Sequence, residues 1–377
     1  MMSHSPVKPE AFRNSRNLSL ARLSELGAPF LKLAARVSSR RNPGPPSSWR
    51  RGVLIGADHI GDVLYNTASL PILAESFPQC EWHFVAAPPA GEIPANSPFL
   101  KSCVPSLESL GPLDVALCYN SGGYWRELVA AVQRGIPNRV GYIHKGFSGL
   151  VTHPVQIDFP QPFPGYFRSF VAQLTGNAPS WSLRPRVFPS PQDGEKADQH
   201  WRELEFDAER PVVACFVTSR QARGVWPATE FAAAVQKIEK ASPIQTILLG
   251  AGEDLPLLRR LKTNFDLAAR LSAGRLSLLP LIRFLEKCSA VLCTDSGPRH
   301  LANAAGIPPV YIRNISFSKV EAGRYCETEV DLAPDVEFVS LEDEAGVFSR
   351  IDPLAVVEKV LEVVRRGHRG EKLLNPP

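Results

Sequence analysis

The sequence predicts an α/β protein of two successive domains, each built on a parallel sheet. Short apolar runs of strand length alternate with amphipathic stretches of helical period, and parallel strands require such crossovers. The alternation begins at residue 52, lapses after residue 142, and restarts at residue 211. The size agrees: 377 residues, at about 150 per domain, allow two domains, and 44% apolar residues can fill two cores.

Residues 1–51 read as an extension. Over 18–37 the pattern is helical, with Leu20, Leu23, Leu26, Phe30, Leu31, Leu33, Ala34 and Val37 on one broad face. Arg22, Glu25, Lys32 and Arg36 lie on the other face, and Gly27 with Pro29 should kink or split the helix. Arg40, Arg41, a Pro/Gly/Ser run and Arg50-Arg51 then form a basic linker. The first domain, 52–190, opens with an apolar strand at 52–56 and a helix from about Asp62 to Phe77. A strand at 81–87, a Pro-rich loop at 88–98, a strand at 114–119, a helix at 125–134 and a short strand at 139–142 follow. Residues 184–195, rich in Pro and charge, read as an interdomain linker.

The second domain, 191–350, has expected strands at 211–217, 245–249, 290–294 and 309–312, and helices at 228–241, 279–287 and 298–305. In the closing segment, 351–377, Asp352-Pro353 caps a helix that runs to about Arg366.

Charge is unevenly placed. The net +4 divides into ten Lys/Arg against two Asp/Glu in residues 1–51, and 32 against 36 in the rest. The body is thus mildly acidic, which argues against nucleic acid as its partner. The basic, amphipathic segment 18–51 suits an anionic inner-leaflet surface, or else packs on the body. No apolar run reaches 18 residues, and charges interrupt the apolar stretch near the N-terminus, so neither a membrane span nor a secretory signal is expected. Seven cysteines without C-x-x-C spacing and eight scattered histidines read as reduced core thiols and no structural metal.

The most informative stretch is Asp295-Ser296-Gly297-Pro298-Arg299-His300, where an apolar strand gives way at once to a helix. Glycine permits close backbone approach, proline suits the first helical turn, and the positive helix start favours a phosphate. Asp295, Ser296, Gly297 and His300 are therefore candidate donor-site residues, beside the plainer reading of a capped strand–turn–helix. Thr218, Ser219, Arg220 and Arg223 follow the second domain's first strand, where hydroxyls and guanidinium groups suit a diphosphate. Glu253, after half a dinucleotide fingerprint, is a candidate to hold a ribose hydroxyl, beside the plainer reading of an exposed carboxylate. In the first domain, Asp58, His59 and Asp62 stand at the first strand–helix turn. Asp62 reads as an N-cap or a general base, with a pKa lowered by the helix start. No Asp-x-Asp, Walker or G-x-S-x-G motif occurs, so nothing recommends a metal or a resident cofactor.

These motifs together resemble glycosyltransferase family 9, which includes the lipopolysaccharide heptosyltransferases. The likeness rests on Asp295-Ser-Gly-Pro-Arg-His-Leu-Ala302, Ile60-Gly-Asp-Val63, Arg139-Val-Gly-Tyr142 and Gly306-Ile-Pro-Pro-Val310, and spans about residues 52–365. It implies a GT-B fold of two Rossmann-like domains, acceptor on the first and nucleotide sugar on the second, with the last helix crossing back to the first. It implies inverting, metal-independent transfer, Asp62 taking a proton from the acceptor hydroxyl while the helix start, His300 and the basic loop steady the leaving diphosphate. ADP-heptose is the implied donor, and a membrane-embedded glycolipid or another surface glycan the acceptor, met at the inner face of the plasma membrane. The chain departs from the pattern where Arg223 replaces a Lys before Trp226-Pro227, where Arg313-Asn314 replace a tight turn, and where Asp58-His59 precede Asp62. Two rival readings are a GT-B-type nucleotide-sugar epimerase or hydrolase, and a non-catalytic scaffold that kept the fold.

Overall fold

The computed structural model describes residues 7, 15–39, 42–56, 59–118, 124–156, 160–176, 181–219, 225–241, 243–315, 317–332, 344–348 and 350–368. The chain divides into two units, Met1–Leu183 and Arg184–Pro377.

The first unit begins with α1 (Ser15–Leu26) and α2 (Ala28–Ser38). Its body runs β1 (Arg51–Ile55), α3 (Ile60–Thr67), α4 (Leu70–Ser76), β2 (Glu81–Val85), β3 (Ser102–Val104), β4 (Val115–Cys118), α5 (Tyr124–Gln133), β5 (Asn138–Tyr142), β6 (His153–Val155) and α6 (Phe163–Thr175). The six strands form one sheet in the order β3-β2-β1-β4-β5-β6, and every pairing is parallel. Val53, Leu54, Phe84, Leu117 and Val140 are wholly buried, because crossover helices leave such strands little access to water.

The second unit runs α7 (Pro191–Glu203), β7 (Val212–Phe216), α8 (Ala228–Ala241), β8 (Gln245–Gly250), α9 (Leu255–Asn264), β9 (Arg270–Ala273), α10 (Leu278–Leu285), β10 (Ala290–Thr294), α11 (Gly297–Ala305), β11 (Pro309–Ile312), β12 (Val330–Asp331), α12 (Glu344–Phe348) and α13 (Pro353–His368). Its sheet order is β12-β11-β10-β7-β8-β9, again parallel throughout. Counted within each unit, both sheets follow the order 3-2-1-4-5-6 of the dinucleotide-binding fold. The chain therefore reverses direction across the sheet beside β1 in the first unit and beside β7 in the second.

Four expectations are corrected. The expected helix from Asp62 to Phe77 is two helices. Pro71 stands in the first turn of α4, where its missing N–H does no harm, and the chain re-enters at Ser69. The unit boundary falls at Leu183–Arg184 rather than at 190–191. Within the expected linker, Ser190 starts α7: its hydroxyl accepts from the Asp193 N–H at 3.3 Å, and the Asp193 carboxylate accepts from the Ser190 N–H at 2.8 Å. Last, α13 packs within the second unit, where Val356, Val357, Val360, Val363 and Val364 join the core of that sheet. A valine face recurring every three to four residues is satisfied there, against α8 and β10.

The N-terminal helices meet at Gly27, as the sequence predicted, and pack on the first unit through small residues. Ala21 and Ala35 are buried. The Ser24 hydroxyl accepts from the Phe147 N–H at 2.8 Å, and the Glu25 carboxylate accepts from the Ser148 N–H at 2.8 Å and from its hydroxyl at 2.6 Å. Gly146 permits the approach: its φ is +83°, and a Cβ there would stand 2.8 Å from Ala21.

Candidate active site

In open parallel sheets, ligands bind outside the carboxyl ends of the strands where the strand order reverses. Nearly all the sequence-predicted site residues that the structure describes sit at such places, each in its own unit.

In the first unit the place is the end of β1. Gly56 lies on the strand's exit, but its lack of a side chain serves packing. A Cβ there would stand 2.5 Å from the Phe84 ring and 2.7 Å from the Val85 carbonyl. His59 occupies the N-cap position of α3 with extended backbone and makes no side-chain cap; its side chain is exposed. Asp62 is in the first turn of α3 and half-buried. The helix start was expected to lower its pKa. Burial instead raises it above the usual Asp range, although the nearby His59 pulls the other way. A carboxylate that holds its proton more firmly than in water is a stronger base once ionised. Asp58 lies outside the described residues.

In the second unit β7 and β10 are neighbours, with Phe216 paired to Cys293. The chain thus leaves the two strands side by side, at Thr218–Ser219 and at Asp295–Gly297. Ser296 is the N-cap residue of α11, and its hydroxyl turns back to the Thr294 hydroxyl at 2.9 Å instead of capping the helix. The first turn, with Pro298 in it, therefore keeps backbone donors at the sheet edge without a side-chain cap. Thr218 and Ser219 are partly exposed beside it. Glu253 lies at the end of the adjacent strand β8, in a single 3-10 turn, Gly252–Asp254, and is exposed. Arg220 and Arg223 lie outside the described residues. Arg313 and Asn314, at the end of β11, are both buried.

Two predicted donor residues turn out to be parts of a buried network. Asp295 pairs with Arg299 at 2.8 Å, one helical turn on. Arg299 also donates to both Glu329 oxygens, at 2.7 and 3.0 Å, and to the carbonyls of Ala322 and Gly323 at 2.8 and 2.7 Å. Its guanidinium lies 3.8 Å above the Tyr311 ring. Burial opposes this charge, but Asp295 and Glu329 outweigh burial and hold Arg299 firmly protonated. Glu329 further accepts from Asn303 at 2.7 Å and from the Tyr325 N–H at 2.7 Å. His300 is buried and its Nδ1 meets the Tyr325 hydroxyl at 2.6 Å. Burial first, and the Arg299 charge second, keep its pKa well below the ordinary histidine value, so the ring is neutral at pH 7. His300 thus offers a hydrogen bond and no charge.

Sequence reasoning missed Arg299, Glu329 and Tyr325. The signal for Arg299 was its i,i+4 spacing from Asp295; Glu329 lies thirty residues away and carried none. Among the described residues no group of three His, Cys, Asp or Glu side chains could hold a metal ion.

Two parallel sheets of this strand order are the architecture of the GT-B fold, and the chain has that fold. Within that class, residues 179–312 match the profile of glycosyltransferase family 9 (heptosyltransferase), which bears out the resemblance carried by the motifs. The fold is similar to the glycosyl transferase family 9 protein of Veillonella parvula DSM 2008, at 17% identity over 84% of this chain and 98% of that one, with a TM-score of 0.73. It is also similar to E. coli ADP-heptose lps heptosyltransferase II (16% identity, 84% and 99% coverage, TM-score 0.65). E. coli heptosyltransferase WaaC with ADP gives 14% identity, 83% and 99% coverage and a TM-score of 0.62. At these identities the likeness is one of fold. No curated protein matches the chain in sequence.

Proposed function

We propose that the protein transfers a sugar, heptose by preference, from ADP-heptose to a lipopolysaccharide-type glycolipid or another surface glycan at the inner face of the plasma membrane. The transfer inverts the anomeric centre and uses no metal. Asp62 takes the proton of an acceptor hydroxyl as that oxygen attacks the anomeric carbon, and the nucleoside diphosphate leaves with the bond pair. The start of α11, with Thr218 and Ser219, receives the developing negative charge, as preorganised donors do in other transferases. His300 contributes as a neutral donor held by Tyr325.

The observation that carries this reading is Asp62. A half-buried carboxylate with a raised pKa stands at the carboxyl edge of the first sheet, at the point where the strand order reverses. Support for the donor comes from E. coli WaaC, whose structures include one with ADP and one with ADP-2-deoxy-2-fluoro heptose.

Two measurements test it. ADP should raise the melting temperature more than UDP, GDP or CMP, equally with and without magnesium; selective stabilisation by UDP or GDP would discard heptose. Asp62→Asn should lower kcat for transfer from ADP-heptose by about 10²–10⁴-fold with ADP binding intact. Normal transfer by that variant would overturn the assignment of the base.

A further inference from the structure

The arm formed by α1 and α2 uses one side to hold the body and leaves the other side apolar and open. The side toward the body is small and polar: Ala21, Ser24, Glu25 and Ala35. The opposite side carries Leu23, Leu26, Phe30, Leu33 and Val37, which are 64%, 80%, 79%, 63% and 79% exposed. Such large side chains are seldom so open on a water-soluble surface, and here five stand in one row along two consecutive helices. The row is continuous across the junction, because the Gly27 N–H donates to the Leu23 carbonyl and the Leu31 N–H to the Gly27 carbonyl.

The charge around the row is of one sign. Arg16, Arg22, Lys32 and Arg36 are exposed on the same two helices. The single acidic residue of these helices, Glu25, is turned inward and engaged with Ser148. An apolar row bordered by cations fits a bilayer with anionic headgroups.

The 3-4-3-4 spacing would also suit a helical seam with a second copy of this chain. Two features weigh against that occupant. The row covers only about two heptads, short of the three or four that sustain a coiled coil. The charged positions bordering the seam, Arg22 and Arg36, are of one sign, so they offer a self-pair no interhelical salt bridge. The helices have 12 and 11 residues, too short to cross a bilayer, and no described helix is long and apolar enough to do so.

We propose that α1 and α2 dock the protein on an anionic lipid bilayer, lying in the plane of the surface with Leu23, Leu26, Phe30, Leu33 and Val37 inserted and the four cations at the headgroups. The docking needs neither donor nor acceptor, so its test stands apart from the transfer reaction.

The test is sedimentation of the full-length protein with vesicles of phosphatidylcholine alone or mixed with phosphatidylglycerol. Binding is expected to the mixed vesicles, weakened by salt. In Leu26→Ser/Phe30→Ser the partition coefficient should fall by about a hundredfold, since each lost side chain removes about tenfold. Arg22→Gln/Lys32→Gln/Arg36→Gln should abolish the preference for phosphatidylglycerol. Both sets of positions are exposed, and an unchanged melting temperature confirms that the fold survives. Failure of the wild-type protein to bind mixed vesicles, or equal binding by Leu26→Ser/Phe30→Ser, would overturn the proposal. So would light scattering that shows a dimer dispersed by those same substitutions, because the row would then belong to a second copy.

Discussion

Asp62 links catalysis and stability through one proton. Its pKa is raised in the folded protein, so folding favours the protonated form. The stability this contributes is present below the unfolded-state pKa and is lost as pH rises through the folded-state pKa. A base needs the opposite condition, and kcat/KM should rise with pH through a pKa above the usual Asp range. The same substitution that removes activity should therefore raise the melting temperature at neutral pH, with the gain fading in acid. A variant that melts at or below the wild type at pH 7 would contradict the raised pKa. Arg299 behaves differently, because it serves two carboxylates and two carbonyls at once. Arg299→Lys cannot reproduce a bidentate fork, and breaking a buried pair costs about 3–5 kcal/mol. Urea denaturation should show a loss of that order, and replacing Arg299 and Glu329 together by Met should cost less than Arg299→Met alone. The local pair Asp295–Arg299 was within reach of the sequence, since four residues make one helical turn. Glu329 was not, because only the folded sheet brings β12 and the loop before it to α11.

At the scale of elements, the central strands were legible because burial on both faces leaves continuous apolar runs, as in 212–216 and 290–294. The edge strands were not. β3, β6 and β12 have three, three and two residues and no wholly buried run, so they carry no such signature. Helix α7 escaped notice for a related reason. Only Ala197 and His200 are buried along its thirteen residues, and its opening Pro191 looks like a linker residue. Its start is fixed by the Ser190–Asp193 capping box instead. Ser190→Ala should lower stability by about 1 kcal/mol in urea denaturation, because the Asp193 N–H loses its side-chain acceptor. A change within about 0.2 kcal/mol would place the start of α7 under tertiary control. Helix α6 has Pro162 at its N-cap and Pro164 in its first turn, and Tyr166, Phe167, Phe170 and Val171 bury one face.

For the molecule as a whole, the two-domain α/β class was legible from alternation alone, and the shared strand order was not, since pairing between strands leaves no mark on local pattern. The position of α13 has a bearing on how the chain is made. Were that helix part of the first unit, the unit would remain incomplete until the last residues had been synthesised. Instead the elements of the first unit all lie within residues 1–183, and the closing helix belongs to the second core. Domains fold as units, N-terminal first, during synthesis. At about 5–20 residues per second, roughly ten to forty seconds separate the end of the first unit from the last residue of α13, His368. In that interval the first unit can leave the ribosome and close its sheet while the second is still being translated. Nascent chains arrested late in the second unit should accordingly carry a protease-resistant first unit.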